Sequence, residues 1–151
     1  MTAVTDIGKP ARPPQEMVAD RPVPLPDDQS APFWEACARG VLVAQRCRVC
    51  GRRRFPPRPT CPSCRSFEYS WEELTGTGRV WSFVRAHPPL LPALAAMAPY
   101  VSLVVELDED PVHLRMVGRL AEDDSDIAIG DRVAAGFETV NECVLPLWRR
   151  S

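Results

Sequence analysis

The chain has 151 residues, 45% of them apolar, with 17 prolines, 8 glycines and a net charge of −2. That length allows one domain or two small ones, and the proline content argues for a loop-rich or β protein and against a helical bundle. The near-neutral balance excludes a chain that is basic throughout, so any anionic partner must be met by a local patch.

The start, MTAVTDIGKPARPP, has no apolar run of about 7–15 residues behind a basic segment, so no signal peptide is expected. The longest uncharged stretch, Pro88 to Val105, just reaches the length of about 18 residues that a membrane span needs. Pro88, Pro89, Pro92 and Pro99 would each break such a helix. The expectation is an apolar loop followed by a strand, in a soluble, cytoplasmic protein without a membrane segment. In that reducing compartment cysteines are thiols or metal ligands.

Residues 1–28 carry Pro10, Pro13, Pro14, Pro22, Pro24 and Pro26 and few aromatic or β-branched side chains. Such a segment buries too little apolar area to offset its ordering entropy and is expected as an extended or disordered arm. Residues 29–70 form the next unit. Ser30 to Gly40 reads as a short helix with Asp28 or Ser30 as its cap, Pro32 in the first turn and Gly40 at its end. VLVAQRC then enters a cysteine-rich segment as a strand.

Residues 71–151 read as strands. Taken with Tyr69–Leu74, which spans the boundary, the candidates are Arg79–His87, Tyr100–Leu107, Val112–Gly118, Arg132–Phe137 and Cys143–Leu147, separated by turn signals. In Val112–Gly118, Val112, Leu114 and Met116 alternate with His113 and Arg115, the period of a half-buried strand. About five short strands in about 80 residues suit a Greek-key barrel of the OB type. Thr75-Gly76-Thr77-Gly78 lacks the Lys-Ser/Thr ending of a phosphate loop and is expected as a bend into the barrel.

CRVCGRRRFPPRPTCPSC, residues 47–64, holds four of the six cysteines. Cys47-x-x-Cys50 and Cys61-x-x-Cys64 are two identical hooks, the spacing at which four thiolates surround one tetrahedral ion at about 2.3 Å. Gly51 permits the left-handed turn that follows the first hook. A structural zinc, one per chain, is expected, and an iron centre of the rubredoxin type uses the same ligands. Four cysteines leave no open position for Lewis-acid chemistry. Cys37 and Cys143 have no partner at ligand spacing and are expected as small buried hydrophobes.

Residues 44–66 contain seven arginines and no acid, whereas residues 71–151 contain seven arginines against thirteen acids. Within that basic island Arg52, Arg53, Arg54 and Arg58 are candidates for contacts to a phosphate-bearing ligand or to an acidic partner surface. Nucleic-acid binding is the alternative for a zinc ribbon joined to an OB barrel. Trp81 and Phe83 lie at the spacing of one strand face, yet the acidic loops ELDEDP and EDDSD would repel a phosphate backbone, and both rings are expected in the core. His87 and His113 have no nucleophile or acid at informative spacing. No catalytic residues are assigned, and no activity is expected of the chain alone.

FWEACARGVLVAQRCRVCGRRRFPPRPTCPSC, WEELTGTGRVWSF, PYVSLVVELDE and IGDRV, in that order, resemble the acyl-CoA-associated zinc-ribbon/OB-fold family, formerly a family of unknown function. The resemblance runs from about Pro32 to Pro146. It implies a mainly β fold with an N-terminal helix, a rubredoxin-like zinc ribbon and a five-stranded OB barrel. It further implies a non-catalytic subunit beside enzymes acting on CoA thioesters: a thiolase, an acyl-CoA hydratase or, most closely, a thiolase-like aldolase of steroid side-chain degradation. A hetero-oligomer follows, with retro-aldolase or acyltransferase chemistry supplied by the partner. Leu90, Leu91, Leu94 and Met97 of the apolar loop would then cover a partner or line an acyl tunnel.

Overall fold

The computed structural model describes residues 21–111, 114–122 and 126–151. Among these residues one α-helix, α1 (Ala31–Ala38), leads into a small sheet of β1 (Val43–Cys47), β2 (Arg53–Arg54) and β3 (Tyr69–Glu73), ordered β2-β1-β3 with antiparallel pairing. Five more strands follow: β4 (Thr77–Ala86), β5 (Tyr100–Leu107), β6 (Arg115–Leu120), β7 (Arg132–Val140) and β8 (Cys143–Arg150). They close into a barrel ordered β4-β5-β6-β8-β7, antiparallel except for β6 against β8. The mainly β architecture, with its helix, ribbon and five-stranded barrel, is the one the sequence leads to.

Ser30 is the helix N-cap, as expected, though its side chain bonds no helical amide and is held instead by Asp27. Asp27 Oδ1 accepts from the Ser30 amide at 2.8 Å and from its hydroxyl at 2.6 Å, while the Asp27 carbonyl accepts from the Ala31 amide at 2.8 Å. Those bonds hold the Asp27 carboxyl below its ordinary range. Gly40, at φ +74°, ends the helix as expected, in a left-handed turn that brings the Val41 amide to the Ala36 carbonyl.

β5 shows how the barrel fills. Val101, Leu103, Val105 and Leu107 are buried, while the residues between them are only partly covered. They meet Val80, Leu114, Met116, Leu120, Val133 and Trp148 in one cluster that also contains Phe33, Ala36 and Cys37 of the helix and Leu42, Val43 and Leu74 of the ribbon. Helix, ribbon and barrel thus share a single core. The ribbon sheet runs past residue 70, with Trp71, Glu72 and Glu73 paired to Gln45, Ala44 and Val43.

Three details differ from the sequence expectations or lay beyond them. Trp81 is not core: a bulge between Val80 and Ser82 shifts the β4–β5 register and leaves Trp81 49% exposed, while Phe83 packs against the core. The two rings therefore do not share a face. β2, only two residues long, carried no strand signal. The strand expected at Val112–Gly118 is β6, with Leu114 and Met116 inward as expected; Val112 and His113 lie outside the described residues.

The arm's first 20 residues also lie outside the described ones. Its end is fixed to the barrel. Arg21 donates to both Glu138 carboxylate oxygens, at 2.8 and 3.3 Å, and Arg119 donates to Glu138 Oε2 at 2.9 Å. The Asn141 amide donates to the Arg21 carbonyl at 3.0 Å. The Arg21 guanidinium, with Arg119 behind it, lowers the Glu138 carboxyl pKa.

The Gly-x-Gly entry to the barrel has two separate causes. Gly76 sits at φ +73°, a turn conformation side chains resist. Gly78 faces β5 so closely that an added Cβ would lie 2.3 Å from the Glu106 carbonyl oxygen and 2.8 Å from Val105 Cγ1. Gly78→Ala should therefore lower the unfolding free energy by about 1–3 kcal/mol, an overpacking cost. Urea unfolding checks this, and an unchanged midpoint would contradict the close approach.

Candidate functional site

The two cysteine hooks are built alike, bond for bond. In the first, the Gly51 amide donates to the Cys47 carbonyl at 3.0 Å and the Cys47 amide to the Arg52 carbonyl at 2.9 Å. In the second, the Arg65 amide donates to the Cys61 carbonyl at 3.0 Å and the Cys61 amide to the Ser66 carbonyl at 2.9 Å. The residue after each hook is left-handed, Gly51 at φ +75° and Arg65 at φ +63°. Gly51 was legible as such a turn; Arg65, which adopts the same conformation with a side chain, was not.

This geometry brings the four expected ligands together. The Sγ atoms of Cys47, Cys50, Cys61 and Cys64 all lie within 4.8 Å of one another. Cys47 and Cys64 are 3.5 Å apart and Cys50 and Cys61 3.6 Å, too far for disulfides. A ZnS₄ tetrahedron with bonds of about 2.3 Å has edges of about 3.8 Å, so the donor set fits zinc. Backbone amides prepare two of the thiols: the Cys50 amide lowers the Cys47 pKa, and the Cys64 amide brings Cys61 down to about 6. Cys37 behaves oppositely, being fully buried in the core and pushed up to about 12 by desolvation. Cys143 is partly exposed on β8.

The arginine island divides into members bonded within the fold and Arg58, which is exposed. Arg53 forks onto Glu72 at 2.8 and 3.0 Å and reaches the Glu109 carbonyl at 3.2 Å, tying the ribbon to a barrel loop. Arg54 is buried, donating to Gln45 Oε1 at 2.8 Å and to the Arg58 carbonyl at 3.0 Å, with its guanidinium 5.0 Å from the Tyr69 ring centre. Arg52 bonds the Ser63 hydroxyl at 2.6 Å, and Arg58 is exposed. All four line one hollow of about 190 Å³ with Phe55 and Pro62.

A second concavity, of about 350 Å³, was not foreseen. It is an apolar groove where arm, helix, ribbon and barrel meet, with Leu25, Trp34, Phe55, Val117 and Trp148 in its walls. Its parts come from six places in the chain, so no local pattern announces it. The apolar loop leaves Leu90 77% exposed and Leu91 45% exposed, with Leu94 and Met97 partly covered.

By elemental analysis the purified chain should contain one zinc. Cys47→Ser or Cys61→Ser should release it and destabilise the protein strongly, because a binding energy on the order of 10 kcal/mol is coupled to folding. Full zinc content in both variants would contradict four-sulfur ligation.

Comparison with known proteins matches both halves of the chain. Residues 34–70 match the family model of the ChsH2 rubredoxin-like zinc ribbon domain, and residues 71–138 that of the ChsH2 C-terminal OB-fold domain. A probable enoyl-CoA hydratase alpha subunit of Thermomonospora curvata is 37% identical over 135 residues, covering 89% of this chain and 41% of that protein. The 3-oxo-4,17-pregnadiene-20-carboxyl-CoA hydratase alpha subunit of Mycobacterium tuberculosis is 31% identical over 143 residues, covering 93% of this chain and 44% of that protein. The chain thus spans less than half the length of these two relatives. Among solved structures, a chain of the Ltp2-ChsH2(DUF35) aldolase is 37% identical with a TM-score of 0.75, covering 85% of this chain and 98% of that one. With ribbon and barrel both matched in order, and a relative covered almost end to end, this chain belongs to the DUF35 family as a ChsH2-type zinc-ribbon/OB-fold protein.

Proposed function

We propose that this chain is a non-catalytic accessory subunit that docks on a thiolase-like aldolase acting on a CoA thioester, in steroid side-chain degradation. The observation that carries the reading is the match to a chain of a solved aldolase assembly over 98% of that chain's length. The name of the Mycobacterium tuberculosis relative, a pregnadiene carboxyl-CoA hydratase subunit, supports the steroid thioester as substrate class.

The physical features agree with such a role. Four thiolates close the shell of the ribbon's metal, which then holds the fold and leaves no site for substrate. Apolar side chains remain in water on the outside: Trp81, Val84 and Val117 on the barrel, and Leu90 and Leu91 on the loop after β4. A partner surface covering them gains about 25 cal/mol per Å² of apolar area removed from water. Trp81 is steadied by Arg115, whose guanidinium lies 4.1 Å from the ring centre and is held in turn by Glu106 at 3.0 Å.

The nucleic-acid alternative lacks its platform, because Trp81 and Phe83 lie on different faces. Single-stranded oligonucleotides should bind no better than the non-specific range of about 10⁻⁴–10⁻⁶ M at physiological salt.

Co-expression with a thiolase-like aldolase should give a co-purifying complex in which carbon–carbon cleavage of a steroid-CoA thioester needs both chains. Changing Leu90 and Leu91 together to Ser should weaken co-purification while zinc content and barrel folding stay intact. Wild-type yield of an active complex from that variant would remove the loop from the interface; failure to co-purify at all would remove the aldolase reading.

A further inference from the structure

The barrel is not sealed equally all round. β7 and β8 pair from Val133 with Arg150 to Val140 with Cys143, whereas β6 and β8 meet only where Arg119 faces Leu147 and Leu120 faces Trp148. The rest of β6, from Arg115 to Gly118, has β5 on one side and, among the described residues, no strand on the other.

The phase of the two ladders shows which backbone groups are left over. The Leu107 amide donates to the Leu114 carbonyl at 3.0 Å. Bonded pairs alternate along an antiparallel ladder, so Met116 and Gly118 turn their amides and carbonyls to β5, and Arg115 and Val117 turn theirs away. On the other side the Ala121 amide donates to the Trp148 carbonyl at 2.8 Å. The same phase, carried back along β8, puts residue 146 where its amide would donate to the Val117 carbonyl. Residue 146 is proline and has no amide proton. The parallel ladder stops there.

That opening is one side of the apolar groove. Met116, Val117, Pro146 and Trp148 of the two strands line it, together with Trp34 and Phe55. Every described lining residue is uncharged. An uncharged guest enters such a site without losing the hydration of a charge, and a charged one is penalised. Unpaired amides and carbonyls at strand spacing, beside rings that take side chains, fit an extended polypeptide better than a compact small molecule. Val117, 68% exposed, also joins the groove to the outer barrel face that carries Trp81 and Val84.

We infer that the groove is a strand-addition site, in which an extended, uncharged apolar segment of the partner subunit pairs with Arg115 to Val117 of β6. The segment's amide donates to the Val117 carbonyl, the Val117 amide donates to the segment, and its side chains enter the groove. This deepens the proposed function, on which only the identity of the partner rests.

The test is amide hydrogen exchange read by NMR on the full zinc-loaded chain. Two probes are used: a capped valine–threonine hexapeptide and the same peptide with its amides N-methylated. In the free chain the Val117 amide should exchange about tenfold faster, or more, than those of Met116 and Gly118. The peptide should slow Val117 and shift the Trp34 indole signal, and the N-methylated peptide should do neither. Pro146→Ala supplies the missing donor and should weaken the peptide about tenfold, the worth of one hydrogen bond. Ile129→Ala, at an exposed turn away from the groove, should leave binding unchanged, and zinc content confirms that both variants keep their ribbon. A Val117 amide already protected in the free chain, or equal binding of the two peptides, would overturn the site. Protection that rises with the concentration of the chain alone would make a second copy the occupant and overturn the partner. In the co-purified aldolase complex Val117 should be protected without peptide, and an unprotected Val117 there would also overturn the partner. Failure to co-purify counts against the subunit reading, and the peptide titration still decides the site.

Discussion

Between residues 47 and 64 the only buried side chains are Cys47, Arg54 and Cys61. Apart from the cysteines, Phe55 alone of its apolar side chains packs against the core, and only in part, so the metal–thiolate bonds must do much of what a hydrophobic core does elsewhere. Everything around the ribbon depends on this. The hooks fix the loop that carries Phe55 to Arg58, and that loop forms one wall of both concavities. Gln45 on β1 reads the same loop from inside, accepting from Arg54 Nε at 2.8 Å and from the Arg58 amide at 3.0 Å. Without the metal, β2 would have only two residues of pairing to keep it in place, Arg53 to Arg46 and Arg54 to Gln45.

What the sequence made legible was what depends on local spacing. The paired hooks are a distance rule between ligands, and they assemble because two residues of separation dictate the turn. β5 was legible because alternation survives unbroken from Val101 to Leu107. The glycines at 76 and 78 marked a bend, though only the paired strand reveals that Gly78 is required by the Glu106 carbonyl. Long-range facts left no trace. Arg21 and Glu138 are 117 residues apart, and neither has a feature that selects the other. Trp81 follows buried Val80 and faces outward, and the register shift between Val80 and Ser82, which separates it from Phe83, could not be read from the sequence. The arginine island was visible as composition, but its division into Arg53, spent on Glu72, and Arg58, left at a rim, depends on which carboxylates the fold brings within reach.

The shared core has a mechanical consequence. Phe33 of the helix packs against Phe55 of the ribbon, with ring centres 5.0 Å apart, and both belong with Trp148 of β8 to one packed cluster. Gly118 makes room for Trp148, since an added Cβ would sit 2.8 Å from its indole ring. Arg53, reaching from β2 to Glu72 and to the Glu109 carbonyl, braces the outer side. Ribbon and barrel are therefore packed together as one piece, with only Leu74, Thr75 and Gly76 between β3 and β4.

Close packing of that kind suits a subunit that positions a neighbour's chemistry. Binding energy is lost when an interface must order loops as it forms, and a body fused through its core avoids that cost. In this molecule the exposed apolar side chains lie on the barrel and the loop after β4, while the arginine-lined hollow lies on the ribbon. The two features differ in what they contribute: desolvated apolar area sets how long a partner stays, and rim charge sets how fast it arrives. Because the shared core joins the ribbon to the barrel, the distance between these features is set by the fold. A partner that seats on the apolar face would then find the arginine hollow at a constant place relative to its own active site.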